Sequence, residues 1–438
     1  MRVLMAAVLA LALLAPAAHA GDSTKYPPAK DPGTLPPRDG TKKVTLDVCK
    51  KKAKKKGCFT SIQQAVNASR GGDTIRVANG TYRESVKVEN KGRKGLKIIG
   101  NPGKPGKVVL DGASLKGGEA QNAFFVNGVD KVKISGFRAV NYKGNGFFVI
   151  NVTGYLLTHL IAEKTGTYGV YAFNSKGGTM SNSEAFHHND AGFYVGQTPK
   201  QAKPKRTFVK NVRSHENVLG FSGTNMRYVT IANSRFYNNG VGIVPNALDS
   251  EKFPPEEFNV IKDNDVFWNN FNYYLGAPFE LRETAVGELA YPVGVGILLF
   301  GGRDNLVEGN RIFGHYLFGF GMINQIALEQ QDAASLDRNT IRGNAFGLNG
   351  TDLNGRDIGY DGSGSDNCFE GNTGAENNTP ADNSEIVPCP FSGPNGVNNE
   401  ARGELIAPAL DADHEKYWIK RGEHAPQEGI TPLEHYED

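Results

Sequence analysis

Gly146-Phe147-Phe148-Val149-Ile150-Asn151, Gly169-Val170-Tyr171-Ala172-Phe173-Asn174 and Gly192-Phe193-Tyr194-Val195-Gly196-Gln197 open on glycines 23 residues apart and share one pattern, a short apolar run closed by an amide. The series continues with Gly220-Phe221-Ser222-Gly223-Thr224-Asn225, Gly242-Ile243-Val244, Gly296-Ile297-Leu298-Leu299 and Gly319-Phe320-Gly321-Met322. Second runs ending in Asn lie between them, such as Val229-Thr230-Ile231-Ala232-Asn233 and Leu306-Val307-Glu308-Gly309-Asn310, followed by third runs such as Phe236-Tyr237-Asn238-Asn239-Gly240. A fixed period with several short strands per unit predicts a solenoid, one unit per coil.

Alternate strand residues point inward, so each coil adds a few β-branched or aromatic side chains to one stacked core. The tight turns need left-handed backbone, which Asn and Gly tolerate, and Asn above Asn in successive coils satisfies its own amide. The 54 glycines are therefore read as turns and not as a nucleotide loop. A leucine-rich repeat is excluded because its Leu-x-x-Leu-x-Leu signature is absent. Helical solenoids are excluded because the runs are too short and too rich in glycine.

Upstream, Phe59-Thr60-Ser61-Ile62-Gln63-Gln64-Ala65-Val66-Asn67-Ala68 and then Gly72-Asp73-Thr74-Ile75-Arg76-Val77-Ala78-Asn79-Gly80-Thr81-Tyr82 resemble the opening of pectin-lyase-like right-handed β-helix proteins. The resemblance covers about residues 59–372. It implies an all-β fold, a right-handed parallel β-helix whose N-terminal amphipathic helix caps the core and whose Gly-Asp-Thr-Ile strand forms the first rung. An uncapped edge would template aggregation. The resemblance is specific for fold and not for reaction. The polygalacturonase-like set, the Trp-Ile-Asp-His and Arg-x-Pro-x-x-Arg patterns of calcium pectate lyases and the Asp-Pro-His-Asp of mannuronan epimerases are all missing.

Met1-Arg2, the apolar run from Val3 to Ala15 and Ala18-His19-Ala20 read as a signal peptide over residues 1–20, so the chain is expected to be secreted or held at the cell surface. Residues 21–48 read as a flexible linker, 49–390 as the β-helix domain and 391–438 as a C-terminal tail. In an oxidising compartment, Cys49–Cys58 and Cys368–Cys389 is the economical pairing, one bridge at each end. A net charge of +3 makes no case for nucleic acid, and no later segment is long and apolar enough to span a bilayer. A monomer is expected. Lys42, Lys43, Lys50 to Lys52 and Lys54 to Lys56 crowd one segment, which suits an acidic glycan, an anionic surface or a solvated cap.

Aligned on the strand-opening glycines, Lys164, His187, His215 and Tyr237 share one offset, and Thr165, His188, Glu216 and Asn238 the next. Equal offsets stack about 4.8 Å apart along the axis, so His188 and Glu216 are expected as neighbours. A His–carboxylate pair moves protons near neutral pH. Lys164 suits a uronate carboxylate, whose neutralisation acidifies the adjacent C–H as β-elimination or C5 epimerisation requires. The alternative is that these are exposed turn residues without a role. Asn189, Asn217 and Asn239 read as a structural ladder.

Phe148, Tyr171, Phe173 and Tyr194 are expected as an outward line of aromatics that stacks on sugar rings, unless a loop covers them. Insertions at 246–258 and 276–293 are candidate walls, with Asp249 and Arg282 as substrate contacts. Asp361, Ser363 and Ser365 carry the 1, 3, 5 spacing of a calcium loop. Asp366 replaces Gly at position 6 and Asn372 replaces Glu at position 12, so a polar turn is the alternative. Calcium is the one cofactor suggested. Two functions follow: a lyase or C5-epimerase of an acidic polysaccharide, or a non-enzymatic carbohydrate-binding or structural surface protein.

Overall fold

The computed structural model describes residues 34–37, 42–49, 57–274, 276–280, 291–324, 335–348, 350 and 352–410. Residues 1–20, read above as a signal peptide, most of 21–48, the lysines at 50–56 and residues 411–438 of the tail lie outside the described residues.

Each coil lays one strand on a first face, typified by Ala191–Gly196, and one longer strand that turns a corner. Leu156–Glu163, Thr179–Phe186 and Thr207–His215 are such strands. Inside them His159, Asn182 and Asn211 take φ of 54°, 48° and 51°. One left-handed residue bends the strand, so the part before it makes a second face and the part after it a third. In the next coil the corner at Asn233 separates Val229–Ala232 from Arg235–Tyr237.

The described strands pair in parallel and in register, and one isolated bridge, Ser365 to Pro394, is antiparallel. On the second face Leu157, Met180, Val209, Ile231, Ile261, Val307, Ile341 and Phe369 are successive partners, and all are buried. Facing them, the first face stacks Phe147, Val170, Phe193, Phe221, Ile243, Ile297, Phe320 and Ile358. Apolar groups at a period of two therefore fuse into one continuous core. Corners are tied by amides. Asn264, Asn310, Asn344 and Asn372 form a ladder in which each Oδ1 accepts from the backbone N and Nδ2 of the asparagine one coil earlier, at 2.9–3.1 Å.

The ends differ from the sequence expectation. The first rung is Thr45–Val48, which pairs with Thr74–Val77, so the coil begins inside the segment read as linker. Helix Ile62–Ala68 follows, N-capped by Ser61, with Ile62, Ala65 and Val66 buried in the core. Glu84 accepts from the N–H groups of Ile62 and Gln63, where a helix start favours an anion. Both expected disulfides are present, Cys49–Cys58 and Cys368–Cys389.

The described part of the C-terminal segment, residues 391–410, packs on the coil. Asn395 extends an amide ladder by accepting from Asn367 N at 3.1 Å. Helix Asn399–Leu410 then places Leu405, 7% exposed, against Gly359 on the first face. Arg402 pairs with the fully buried Asp361 at 2.8 Å. Leu405→Ala is expected to cost about 2 kcal/mol of stability, measured by chemical denaturation, because the methyls it removes cover that end of the face.

Candidate functional site

The third face ends at a turn, and the sequence-predicted histidines gather there. Phe186, His215, Tyr237, Phe267 and Phe313 are successive partners on its outer side. Their rings stack 4.9–5.1 Å apart, with interplanar angles of 5–17°. One residue further, the turn column holds Lys164, His187, Glu216 and Asn238, all left-handed at φ 48–61°. Two residues before the aromatic column, Glu184 faces Arg213.

The expected neighbours His188 and Glu216 are not neighbours, and the reason is a slip of one residue. Phe186 pairs with His215, but Ala191 pairs with Leu219, so the turn at 187–190 is one residue longer than that at 216–218. Counting back from glycine across that turn shifts the register. The true pairings are His187 beside Glu216 and His188 beside Asn217.

Arg213, Glu184, His215, Glu216 and His187 form a chain of five groups. Glu184 Oε1 lies 3.3 Å from Arg213 Nε and 3.2 Å from His215 Nε2. His215 Nδ1 is 3.1 Å from Glu216 Oε2, and the same oxygen is 3.5 Å from His187 Nε2. Glu184 and His215 are buried, whereas the side chains of His187 and Glu216 are 24% and 44% exposed. Hydrogen bonds from His187 and His215 hold the Glu216 carboxyl far below the usual carboxylate range. Burial alone would lower the pKa of His215, but bonds to Glu184 and Glu216 outweigh it and raise the pKa above its ordinary value. His215 is thus clamped between two carboxylates and two aromatic rings, which favour its protonated form. Lys164, exposed, sits one coil before His187.

His188 has a different task. Its Nδ1 accepts from Thr165 N at 3.3 Å, its Nε2 meets the Ala162 carbonyl at 3.2 Å, and its own N–H donates to Asn217 Oδ1 at 2.9 Å. The ladder runs on through Asn239 and Asn269 to His315, which bonds Asn269 N and the Val266 carbonyl in the same way. A neutral imidazole with its proton on Nε2 offers one acceptor and one donor and so replaces an asparagine amide. Burial pushes its pKa down to about 3. His188→Asn is expected to fold normally, and His188→Ala to cost about 2 kcal/mol through unsatisfied amides. The unfolded imidazole protonates below its ordinary value of 6.5, whereas the folded one resists down to about 3. Wild-type stability therefore drains through that window by up to about 1.4 kcal/mol per pH unit, and His188→Asn removes this contribution. Thermal unfolding at pH 7 and pH 5 checks it. Asn189, expected in the ladder, instead donates to the Glu280 carbonyl.

The other candidates lie apart. Phe148, Tyr171, Phe173 and Tyr194 do point outward from the first face, but each is 2% exposed or less. They join a second cluster that includes Tyr273, with Phe271, Tyr274 and Phe279 packed against it. A bare stripe of that size is unfavourable in water, so the insertion folds over it, and these rings are not open to sugar. Asp249 follows Val241–Asn246, whose start lies at the histidine turn, so it belongs to the opposite edge of the first face, about 20 Å away. Arg282 lies outside the described residues. The calcium spacing is also spent otherwise: Asp361 bonds Ser363 and Arg402, Ser365 bonds Asp337, and Asp366 accepts from Gly393 N. No metal-ready group of three His, Cys, Asp or Glu occurs among the described residues.

Glu184, Arg213 and the ring stack escaped the sequence reading. The usable signal was alternation, because Glu184 and Arg213 stand two residues before Phe186 and His215 and so share their outward face.

Residues 107–251 match the family model for the right-handed β-helix region. Together with the coil above, this makes the fold a right-handed parallel β-helix. No curated protein matches the sequence. Similar solved structures include the A-module of mannuronan C-5 epimerase AlgE4 from Azotobacter vinelandii, at 16% identity over 71% of this chain and 88% of that one, TM-score 0.47. Pectate lyase Pel9A is 15% identical over 77% and 78%, TM-score 0.38. The alginate lyase from Paenibacillus sp. str. FPU-7 is 14% identical over 76% and 97%, TM-score 0.41. At these identities the likeness concerns the coil alone.

Proposed function

We propose that the chain is a secreted enzyme that removes the C5 proton of a uronate polysaccharide, as a lyase or a C5-epimerase. The single observation behind this is the Glu184–His215–Glu216–His187 chain, in which buried charge orients one accessible imidazole. With Nε2 turned to Glu216, His187 keeps Nδ1 for a substrate proton, and Glu216 stabilises the imidazolium that forms. Lys164 meets the sugar carboxylate and lowers the cost of the carbanion. The reach of the Glu280 carbonyl to Asn189 supports the insertion as a wall beside this turn. The test is ultraviolet absorbance of unsaturated uronate during incubation with pectate, alginate and glycosaminoglycans. A rise identifies a lyase, and deuterium at C5 without a rise identifies an epimerase. Neither signal with any uronate polymer overturns the proposal.

A further inference from the structure

The second face carries a surface that the histidine site does not use. Four large hydrophobic side chains are exposed among the described residues, and the two aromatic ones, Phe208 at 39% and Phe258 at 37%, both lie on this face or its entry turn. Tyr228, partly exposed, stacks on Phe258 with centroids 5.3 Å apart and planes 6° from parallel. Arg206 Nη1 donates to the carbonyls of Val229 and Phe258 at 3.3 Å and to Thr230 Oγ1 at 3.2 Å, which fixes its guanidinium across these rungs. The ammonium of Lys210 lies 6.0 Å from the centre of the Phe208 ring.

Charge on this face is one-sided. Its two outward columns run from Lys97 and Lys133 through Phe208 and Lys210 to Lys262 without a carboxylate, and Glu308 is the first to appear. Glu257, beside Phe258, is engaged by Arg227 at 2.9 Å. Lys262 is held by Asp263, and among the described residues no carboxylate pairs with Lys133, Lys210 or Arg206. Flat rings flanked by fixed cations suit a sugar polymer that carries anions, because the rings stack on apolar sugar faces while the cations meet carboxylate or sulfate.

We propose that Phe208, Tyr228, Phe258, Lys133, Lys210 and Arg206 form a non-catalytic docking platform for an acidic polysaccharide. Phe208 and His215 share the strand Thr207–His215, about 20 Å apart and on different faces across the Asn211 corner. The platform thus holds polymer beside the histidine turn without entering it. It rests on the same polymer class as the proposed reaction and not on the reaction itself.

The test is affinity electrophoresis of the full-length protein in native gels containing polygalacturonate, alginate or the neutral polymer dextran. Retardation is expected in the acidic gels alone. Phe208→Ala with Phe258→Ala is expected to weaken it on the order of tenfold, the effect of two lost stacking contacts. Both side chains are exposed, so the thermal midpoint should hold, which separates lost binding from lost folding. Lys133→Gln with Lys210→Gln should flatten the dependence on salt. Unchanged retardation in the aromatic variant, or equal retardation by dextran, overturns the platform. Retardation that holds while the polymer is never turned over leaves the platform standing and sinks the proposed reaction.

Discussion

His187→Ala is expected to reduce turnover of the uronate polymer by about 10²–10⁴-fold, the usual range for removing a general base, with little change in thermal midpoint. The imidazole is partly exposed and meets Phe186 edge-on at 5.0 Å, outside the stacked core of the coil, so its loss leaves the coil intact. Glu216→Gln should fall between wild type and His187→Ala, because it keeps the shape that orients His187 and loses the charge. The wild-type Glu216 carboxyl is held so far below its ordinary range that any loss of activity near pH 5 belongs to another group. Initial rates across pH 4 to 9 for the three proteins check this. His188→Asn serves as the contrast, because a ladder residue tolerates the amide whereas a catalytic imidazole does not.

Glu184→Ala is expected to be the most damaging substitution for stability, about 3–5 kcal/mol near pH 5.5, since it strips a buried imidazolium of one of its two carboxylates. The sign with pH is specific. His215 is raised above its ordinary value of 6.5, so its contribution is fully present below that value and fades as pH rises through the higher folded value. Glu216 is depressed, so its contribution is present above its ordinary value of 4.5 and fades on acidification. The cluster therefore stabilises most between about pH 4.5 and 6.5, and the penalty of Glu184→Ala should be smaller at pH 8 than at pH 5.5, to the extent that His215 has released its proton. Urea denaturation at the two pH values measures the difference.

The coil was legible because its signal is repeated: glycine opens most first-face strands and asparagine recurs at the corners, so one misread rung leaves the pattern intact. The site was legible only in part. Counting from glycine is valid while turns keep their length, and one extra residue between Phe186 and Ala191 sufficed to exchange His187 for His188. No local pattern reports that His188 and His315 stand in for asparagine, because this depends on the amides of neighbouring coils. The aromatic line lies on the outward side of the first face, and its burial depends on residues distant in sequence, among them Tyr273 of the same cluster. Phe208 and Phe258 fall outside the glycine-opened runs, and the open aromatic surface lies there instead.

The account centres on proton removal from C5 by His187, and deuterium exchange reads that step for lyase and epimerase alike. Wild type and His187→Ala would each be incubated with a panel of uronate polymers in D2O, and the recovered material examined by NMR for C5 deuterium and for unsaturated ends. The account predicts one or both signals with wild type and neither with His187→Ala. Signal that survives in His187→Ala, or none from wild type on any polymer that it demonstrably binds, would contradict it.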